Sequence, residues 1–325
     1  MTRAIRIHST GGPEVMRVED VETGEPAAGQ VLVAQRAIGV NFIDVYHRTG
    51  LYPVALPAVI GQEAAGVVEA VGPDVADLRV GDRVAYVGAL GAYAERRVVA
   101  ADRVVPVPSA IGDDVAAAAM LKGMTARYLL KDTTRVGPDD TIVVHAAAGG
   151  TGQLLVQWAK HLGARVLGVV SSDAKAEIVR ALGADDVVVT LRDDLVERAK
   201  RLTDGRGVSV VYDSVGRDTF GRSIACLRPR GMLVVFGQSS GPVPPIDLGV
   251  LARASLYLTR PTLFTYVAAR ADLLASAADV FDAIAGGILS VSVSNRLPLE
   301  RAADAHRALE SRATTGATIL LPHGG

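Results

Sequence analysis

Apolar positions fall into two rhythms along this chain, and the change between them comes near residue 113. Before it, short runs rich in valine and alanine (residues 31–37, 65–71, 83–87 and 92–99) are separated by Gly11-Gly12-Pro13, Gly72-Pro73-Asp74 and Gly81-Asp82, and Pro106 and Pro108 close the section. Short strands between such breakers predict a β-rich, barrel-like domain. After it, helical stretches at 115–131, 152–162, 174–182, 195–202 and 218–227 alternate with apolar strands at 142–144, 166–170, 187–189, 208–212, 232–236 and 255–258. Strands alternating with helices in this way predict a doubly wound parallel sheet. Beyond Arg260-Pro261 the rhythm breaks again. A helix (270–285), a strand (289–293), a helix (299–310) and a strand (318–321) are expected there, in a tail that returns to the first domain.

The joint between the first two parallel strands is the most specific segment. A β-branched run at 141–144 leads into Ala147, Gly149 and Gly152, which occupy the three positions of a dinucleotide-binding fingerprint, with alanine for the first glycine. Such a loop needs a tight turn, close backbone approach to a pyrophosphate and close helix-on-strand packing, and the helix behind it offers unpaired N–H groups to phosphate. The second strand then ends Val169-Val170-Ser171-Ser172, without the carboxylate that holds an adenosine ribose in NAD-specific folds. At an effective dielectric of ~20, like charges ~4 Å apart repel by ~4 kcal/mol, so the residue type there selects the cofactor. Ser171, Ser172 and Lys175, with Arg192 after the third strand, suit the 2′-phosphate of NADPH. Asp173 lies inside the same segment, and Ser171 or Ser172 has a second reading as a helix cap.

Composition narrows the remaining classes. The 325 residues suggest two domains, and a formal net charge of −1 offers no basic surface to nucleic acid or an anionic membrane. No apolar run reaches spanning length, and the opening residues MTRAIRIHSTGGPE do not read as a secretory signal, so a soluble cytoplasmic protein is expected. Cys226 is the only cysteine and reads as a buried inert thiol in a helix. His8, His47, His145, His161, His306 and His323 show no metal-ligand spacing, and neither His145 nor His161 has an evident partner in sequence. No metal is expected. The segment Asn41-Phe42-Ile43-Asp44-Val45-Tyr46, followed by Tyr52, concentrates polar and aromatic groups in a chain poor in aromatics. It reads either as a ligand wall or as a loop in which Asn41 and Asp44 satisfy backbone groups.

Several motifs together resemble one family. They are Gly11-Gly12-Pro13-Glu14-Val15, Val40-Asn41-Phe42-Ile43-Asp44, Gly50-Leu51-Tyr52-Pro53, Glu63-Ala64-Ala65-Gly66, Gly81-Asp82-Arg83-Val84, the 147–152 loop with Gln157 and Lys160, Val211-Tyr212-Asp213-Ser214-Val215-Gly216 and Glu310-Ser311-Arg312-Ala313-Thr314. Over essentially its whole length the chain is similar to the zinc-free medium-chain dehydrogenase/reductases, the zeta-crystallin-like NADPH:quinone oxidoreductases. The resemblance implies an α/β protein with a GroES-like β-rich catalytic domain (1–124 and 263–325) and a Rossmann NADPH-binding domain (125–262), assembled as a homodimer with 255–258 as a candidate edge. The family's zinc enzymes carry a cysteine near Asn41 and a histidine where this chain has Gln62.

By the same resemblance, Asn41, Phe42, Ile43 and Tyr46 border the nicotinamide, Tyr52 lines the substrate cleft, and Asn41, Asp44, Tyr46 and Tyr52 form the catalytic set. Thr125 and Tyr128 lie by the nicotinamide riboside. Gly149, Gly150, Thr151 and Gly152 meet the pyrophosphate, and Ser171, Ser172 and Lys175 the 2′-phosphate. Phe236, Gly237, Gln238 and Ser240 follow the fifth strand, Arg260 the sixth, and Arg312 comes from the tail. One departure is Thr190, where related bacterial enzymes place a tyrosine, so weaker NADPH binding is expected with Arg192 as a substitute contact. The implied reaction is hydride transfer from NADPH to a small quinone. Reduction of an activated C=C bond in an enal or enone is the related alternative, and RNA binding or a crystallin-like structural role the non-enzymatic one.

Overall fold

The computed structural model describes residues 1–322, so His323 lies outside the described residues. The chain divides into two compact units: Met1–Met124 with Val267–Gly286 and a segment beginning at Val291, and Thr125–Tyr266 with Gly287–Ser290.

The first unit is β-rich. Its strands are β1 (Thr2–Ile7), β2 (Met16–Val21), β3 (Gln30–Val40), β4 (Ala58–Val59), β5 (Glu63–Val71), β6 (Arg83–Val87), β7 (Arg96–Ala100) and β8 (Val104–Pro106). The second unit carries β9 (Thr141–Val144), β10 (Arg165–Val170), β11 (Asp186–Val189), β12 (Val208–Asp213), β13 (Leu227–Val235) and β14 (Tyr257–Thr259), and the chain returns to the first with β15 (Val293–Pro298) and β16 (Ala317–Leu321). One sheet runs β15-β16-β3-β5-β6-β8 with β7 also on β3, and a smaller one runs β2-β1-β4. The tail joins through β16, antiparallel to β3 with Thr318 opposite Val40. Ile5, Ile38, Ile60, Val84, Tyr86, Tyr93 and Leu320 are among the fully buried side chains of its core.

The second unit is the expected parallel sheet, in the order β11-β10-β9-β12-β13-β14. Its central strands are buried along their whole length (Thr141–Val144 and Val208–Asp213), as strands covered by helices on both faces must be. The order reverses at β9, so the loops after β9 and β12 meet at the carboxyl ends of the strands, where open α/β sheets take ligands.

The helix expected at 218–227 is shortened to Phe220–Ala225 because β13 begins at Leu227, and three further differences from the sequence reading have a local cause. The strand expected at 92–99 begins only at Arg96, because the Ala92 and Ala94 carbonyls are claimed by the Gln35 side chain and the Tyr93 N–H by the Ile60 carbonyl. The strand expected at 289–293 lies at Val293–Pro298. The Ser290 N–H and carbonyl are both taken by the Gln157 side-chain amide, at 2.8 and 3.2 Å, and cannot enter a ladder. The helix expected over 299–310 opens with a 3₁₀ turn at Leu299–Arg301 and is α-helical only from Ala302 to Glu310.

Candidate active site

In the first unit the polar cluster grows from helix α1 (Phe42–Thr49). Asn41 caps it, and Gly50 ends it at φ +80°, a conformation glycine adopts without penalty. The Asp44 side chain reaches back so that its Oδ2 accepts from the Asn41 N–H at 2.9 Å. The Asn41 amide donates to Glu63 Oε1 at 2.7 Å. Glu63, fully buried at the start of β5, also accepts from Lys122 Nζ at 2.8 Å and the Leu121 N–H at 2.6 Å. Three donors, one of them an ammonium, offset the cost of burying that carboxylate. Gly39 must be glycine beside it: a Cβ there would lie 2.2 Å from Glu63 Oε1 and 2.5 Å from the Ala117 carbonyl.

The aromatic residues form a row on the same helix. Phe42 and Tyr46 have ring centroids 5.6 Å apart, and Tyr46 meets Tyr52 edge-on at 5.1 Å. Tyr52 also faces the His47 ring, whose Nε2 lies 3.1 Å from the Gln62 amide nitrogen. Phe42, Ile43 and Tyr52 are partly exposed, whereas Tyr46 is buried. Asn41 and Asp44 are absorbed in buried hydrogen bonds, Asp44 to the Asn41 backbone N–H and the Asn41 amide to Glu63, and the aromatic rings form a row beside them.

Asp44 is completely buried, and desolvation pushes its carboxyl up to about 7 against the Asn41 and Tyr93 hydrogen bonds, which pull it down. Tyr93 Oη lies 3.0 Å from Asp44 Oδ2 and 3.0 Å from His306 Nε2. Tyr93 and His306 escape a sequence reading because they lie 49 and 262 residues from Asp44. Glu63 and Lys122 did leave a signal, each being a lone charge in an apolar run.

A zinc ion does not fit this cluster. Where the family's zinc enzymes supply cysteine and histidine, Asn41 and Gln62 present neutral amides, already engaged with Glu63 and His47. No group of three or more metal-ligating side chains forms among the described residues.

In the second unit the fingerprint loop joins β9 to helix α2 (Gly150–His161). Gly149 is its N-cap residue, and a Cβ on Gly152 would sit 2.3 Å from the Ala146 carbonyl and 2.7 Å from the Ala147 Cα. Gly149, Gly150 and Thr151 are partly exposed at the helix start, whose first-turn N–H groups and positive dipole end suit a pyrophosphate. β10 stops at Val170. Ser172 caps the next helix, α3 (Asp173–Ala181), its Oγ accepting from the Lys175 N–H at 3.4 Å, while Ser171 is exposed. The capping role falls to Ser172, whose hydroxyl hydrogen is still able to donate. Arg192 is exposed and paired with Asp173 at 2.6 Å, and Thr190 Oγ1 donates to the Val170 carbonyl at 3.1 Å.

β12 ends on a second buried network. Asp213 Oδ1 accepts from the Val215 and Gly216 N–H groups, its carboxylate receives the Thr219 and Ser223 hydroxyls, and Ser223 Oγ lies 3.0 Å from His145 Nε2. His145 thus has a partner that the sequence did not reveal, and burial lowers its pKa. The network ties the ends of β9 and β12 together beneath the loop after β13. There the Phe236 N–H donates to the Asp213 carbonyl, Gly237 packs on Ser214, Gln238 is buried and Ser240 Oγ donates to the Val215 carbonyl at 2.8 Å. Thr125 and Tyr128 are buried, the Tyr128 ring stacked on Tyr266 at 4.3 Å, and burial raises its phenol pKa. Arg260 reaches the Val235 carbonyl at 3.3 Å, and Arg312, at φ +57°, is exposed. Cys226 is buried just past the helix Phe220–Ala225, its thiol pushed up to about 12 by burial.

This division of labour, an Asn-capped polar site on a β-rich unit and a glycine loop on a parallel sheet, matches two known domains. Residues 27–109 match the alcohol dehydrogenase GroES-like domain, and residues 150–279 match the zinc-binding dehydrogenase domain. The chain belongs to the medium-chain dehydrogenase/reductase family. Within it, the chain is 47% identical to a quinone oxidoreductase of Pseudomonas aeruginosa over 99% of this chain and 100% of that protein. It is 46% identical to a 2-haloacrylate reductase of a Burkholderia species over 99% of each. The solved structure of the Escherichia coli quinone oxidoreductase complexed with NADPH superposes with a TM-score of 0.97 at 46% identity, covering 98% of this chain and 100% of that one.

Proposed function

We propose that this protein is a zinc-independent NADPH:quinone oxidoreductase. One observation carries the reading: a glycine fingerprint loop followed by a strand whose last residue, Val170, leads into Ser171 and Ser172 with no carboxylate at the strand end. When bound, NADPH supplies a hydride from its nicotinamide C4. Gly150, Thr151 and Gly152 would hold the pyrophosphate through backbone N–H groups, and Gly149, whose own N–H donates to the Ala146 carbonyl, would border it as the cap residue. Ser171, Ser172 and Lys175 hold the 2′-phosphate, with Arg192 sharing its guanidinium between that phosphate and Asp173. Thr125, Tyr128, Phe236, Gly237, Gln238, Ser240, Arg260 and Arg312 complete the cofactor contacts. Asn41, Phe42, Ile43 and Tyr46 border the nicotinamide, and Asn41 is fixed for that task by Glu63 and Asp44. Tyr46 and Tyr52 orient the quinone carbonyl, and a solvent proton completes the reduction. Orientation and water exclusion are the protein's share of the rate. The same reading makes the protein a cytoplasmic homodimer.

A second reading is favoured by the likeness to 2-haloacrylate reductase: reduction of an activated C=C bond by the same residues, with a tyrosine protonating the α-carbon. Steady-state kinetics with NADPH and NADH against ortho- and para-quinones, enones and 2-haloacrylates separates the two by kcat/KM. Quinones with NADPH are expected to lead. No quinone-dependent oxidation of NADPH above the buffer rate would reject the first reading.

A further inference from the structure

The groups behind Asp44 form a chain of donors whose direction follows from their chemistry. Arg48 can only donate. Its Nη1 lies 3.3 Å from His306 Nδ1, so that nitrogen must present a lone pair and the ring proton must sit on Nε2. Nε2 lies 3.0 Å from Tyr93 Oη and therefore donates to the phenol oxygen. The single phenol hydrogen is left to donate to Asp44 Oδ2, at 3.0 Å. Asp44 Oδ2 also accepts the Asn41 N–H that opens α1. Arg48, Tyr93, His306 and Asp44 are each at most 1% exposed. At the outer end Arg48 is fixed by Glu310, through two bonds of 2.7 and 3.0 Å, and by the Gly11 carbonyl at 3.1 Å.

We propose that Tyr93 and His306 are positioning residues for the site on α1: they carry the donor character of Arg48 inward to the Asp44 carboxylate, which fixes Asn41 and the first turn of the helix. The proposal rests on the reading of Asn41 and Tyr46 as the border of the reacting ring. A proton on Asp44 works against this arrangement from either oxygen. Oδ1 is buried without a hydrogen-bond partner, so a proton there meets no acceptor, and on Oδ2 it displaces Tyr93 or Asn41. The charged and titratable groups facing Asp44 are Glu63 from β5, which disfavours its ionisation, Lys122 from the helix Asp113–Tyr128, which favours it, and Tyr93, with Arg48 and His306 beyond. Burial pushes Asp44 up to about 7, and the Tyr93 bond opposes that rise. His306 is suited to its place because burial and Arg48 lower it to about 3, keeping the ring neutral and its one proton on Nε2.

The test is an infrared titration of the free protein, reading the C=O band of protonated Asp44, assigned by its loss in Asp44→Asn. Removing the phenol donor in Tyr93→Phe is expected to raise the midpoint by about one to two pH units, the worth of one hydrogen bond to a charged group. His306→Leu moves it the same way. In His306→Gln an amide N–H can still donate to Tyr93, and most of the shift is expected to be recovered. The acid limb of kcat/KM follows the band in each variant. A midpoint unmoved in Tyr93→Phe, with native circular dichroism, overturns the proposal, as does a shift equal in the Gln and Leu variants. Tyr93→Phe decides alone if His306→Leu fails to fold. No substrate enters the infrared measurement, so a failure of quinone turnover would leave this result standing.

Discussion

At Gly152 one methyl group decides whether the loop can close on its helix. The Cβ of an alanine would overlap backbone atoms of Ala146 and Ala147, which cannot swing aside as a side chain could. The loop must then move off the start of α2, and its N–H groups leave the geometry that a pyrophosphate requires. Overpacking of this kind costs about 1–3 kcal/mol, so Gly152→Ala is expected to weaken NADPH binding by roughly 5- to 150-fold. Isothermal titration with NADPH checks it, and unchanged affinity would remove the loop from the cofactor site. Gly152 was legible in the sequence because the fingerprint is local. Asn41 and Asp44 were only half legible. Their clustering was visible, but Asp44 takes its state from Tyr93 and His306, and only folding brings residues so distant in sequence to one carboxylate.

At the level of elements, α1 and the helix Ala302–Glu310 are held together by groups that titrate in opposite senses. Asp44 is raised from 3.8 to about 7, so the native state binds the extra proton between those values, and its contribution to stability is lost as pH rises through 7. His306 is lowered from 6.5 to about 3, so the unfolded state binds the extra proton, and its contribution is lost as pH falls below 6.5. Over the shared window the two slopes oppose each other at about 1.4 kcal/mol per pH unit. Relative to the parent, His306→Gln is therefore expected to gain stability as pH falls from 6.5, and Asp44→Asn to lose it as pH falls from 7. Urea unfolding at a series of pH values measures both, and parallel pH curves for parent and variants would contradict the assignment. The elements themselves are legible where a continuous apolar run marks burial on both faces, as in β9 and β12. They were misplaced where a side chain substitutes for a backbone partner. Gln35 claims the carbonyls of Ala92 and Ala94, and Gln157 claims both polar groups of Ser290, so residues 92–95 and 289–292 lie outside the strands.

At the scale of the whole molecule, the parallel sheet ends at β14, whose only strand neighbour is β13 among the described residues. An edge strand presents unpaired N–H and C=O groups on its outer side, and proteins cover, charge or pair such edges. This one is only three residues long, but no charge guards it. Tyr257, Leu258 and Thr259 are uncharged, and Tyr257 is 57% exposed, a large apolar ring on an open edge. The opposite edge, β11, opens with Asp186, which pairs with Arg198 at 3.0 Å and so carries charge that discourages pairing. The asymmetry directs the proposed homodimer to β14, where two copies related by a two-fold axis would extend the sheet and bury the tyrosine. Tyr257→Lys places a charge at that junction and leaves the Met232 pairing on the other side in register. Sedimentation velocity is expected to give a dimer for the parent and a monomer for Tyr257→Lys, with NADPH affinity within about twofold, because Tyr257 lies outside the phosphate loop. A dimer that persists unchanged in the variant would move the interface elsewhere. A monomeric parent at micromolar concentration would leave the bare edge without a partner of its own kind.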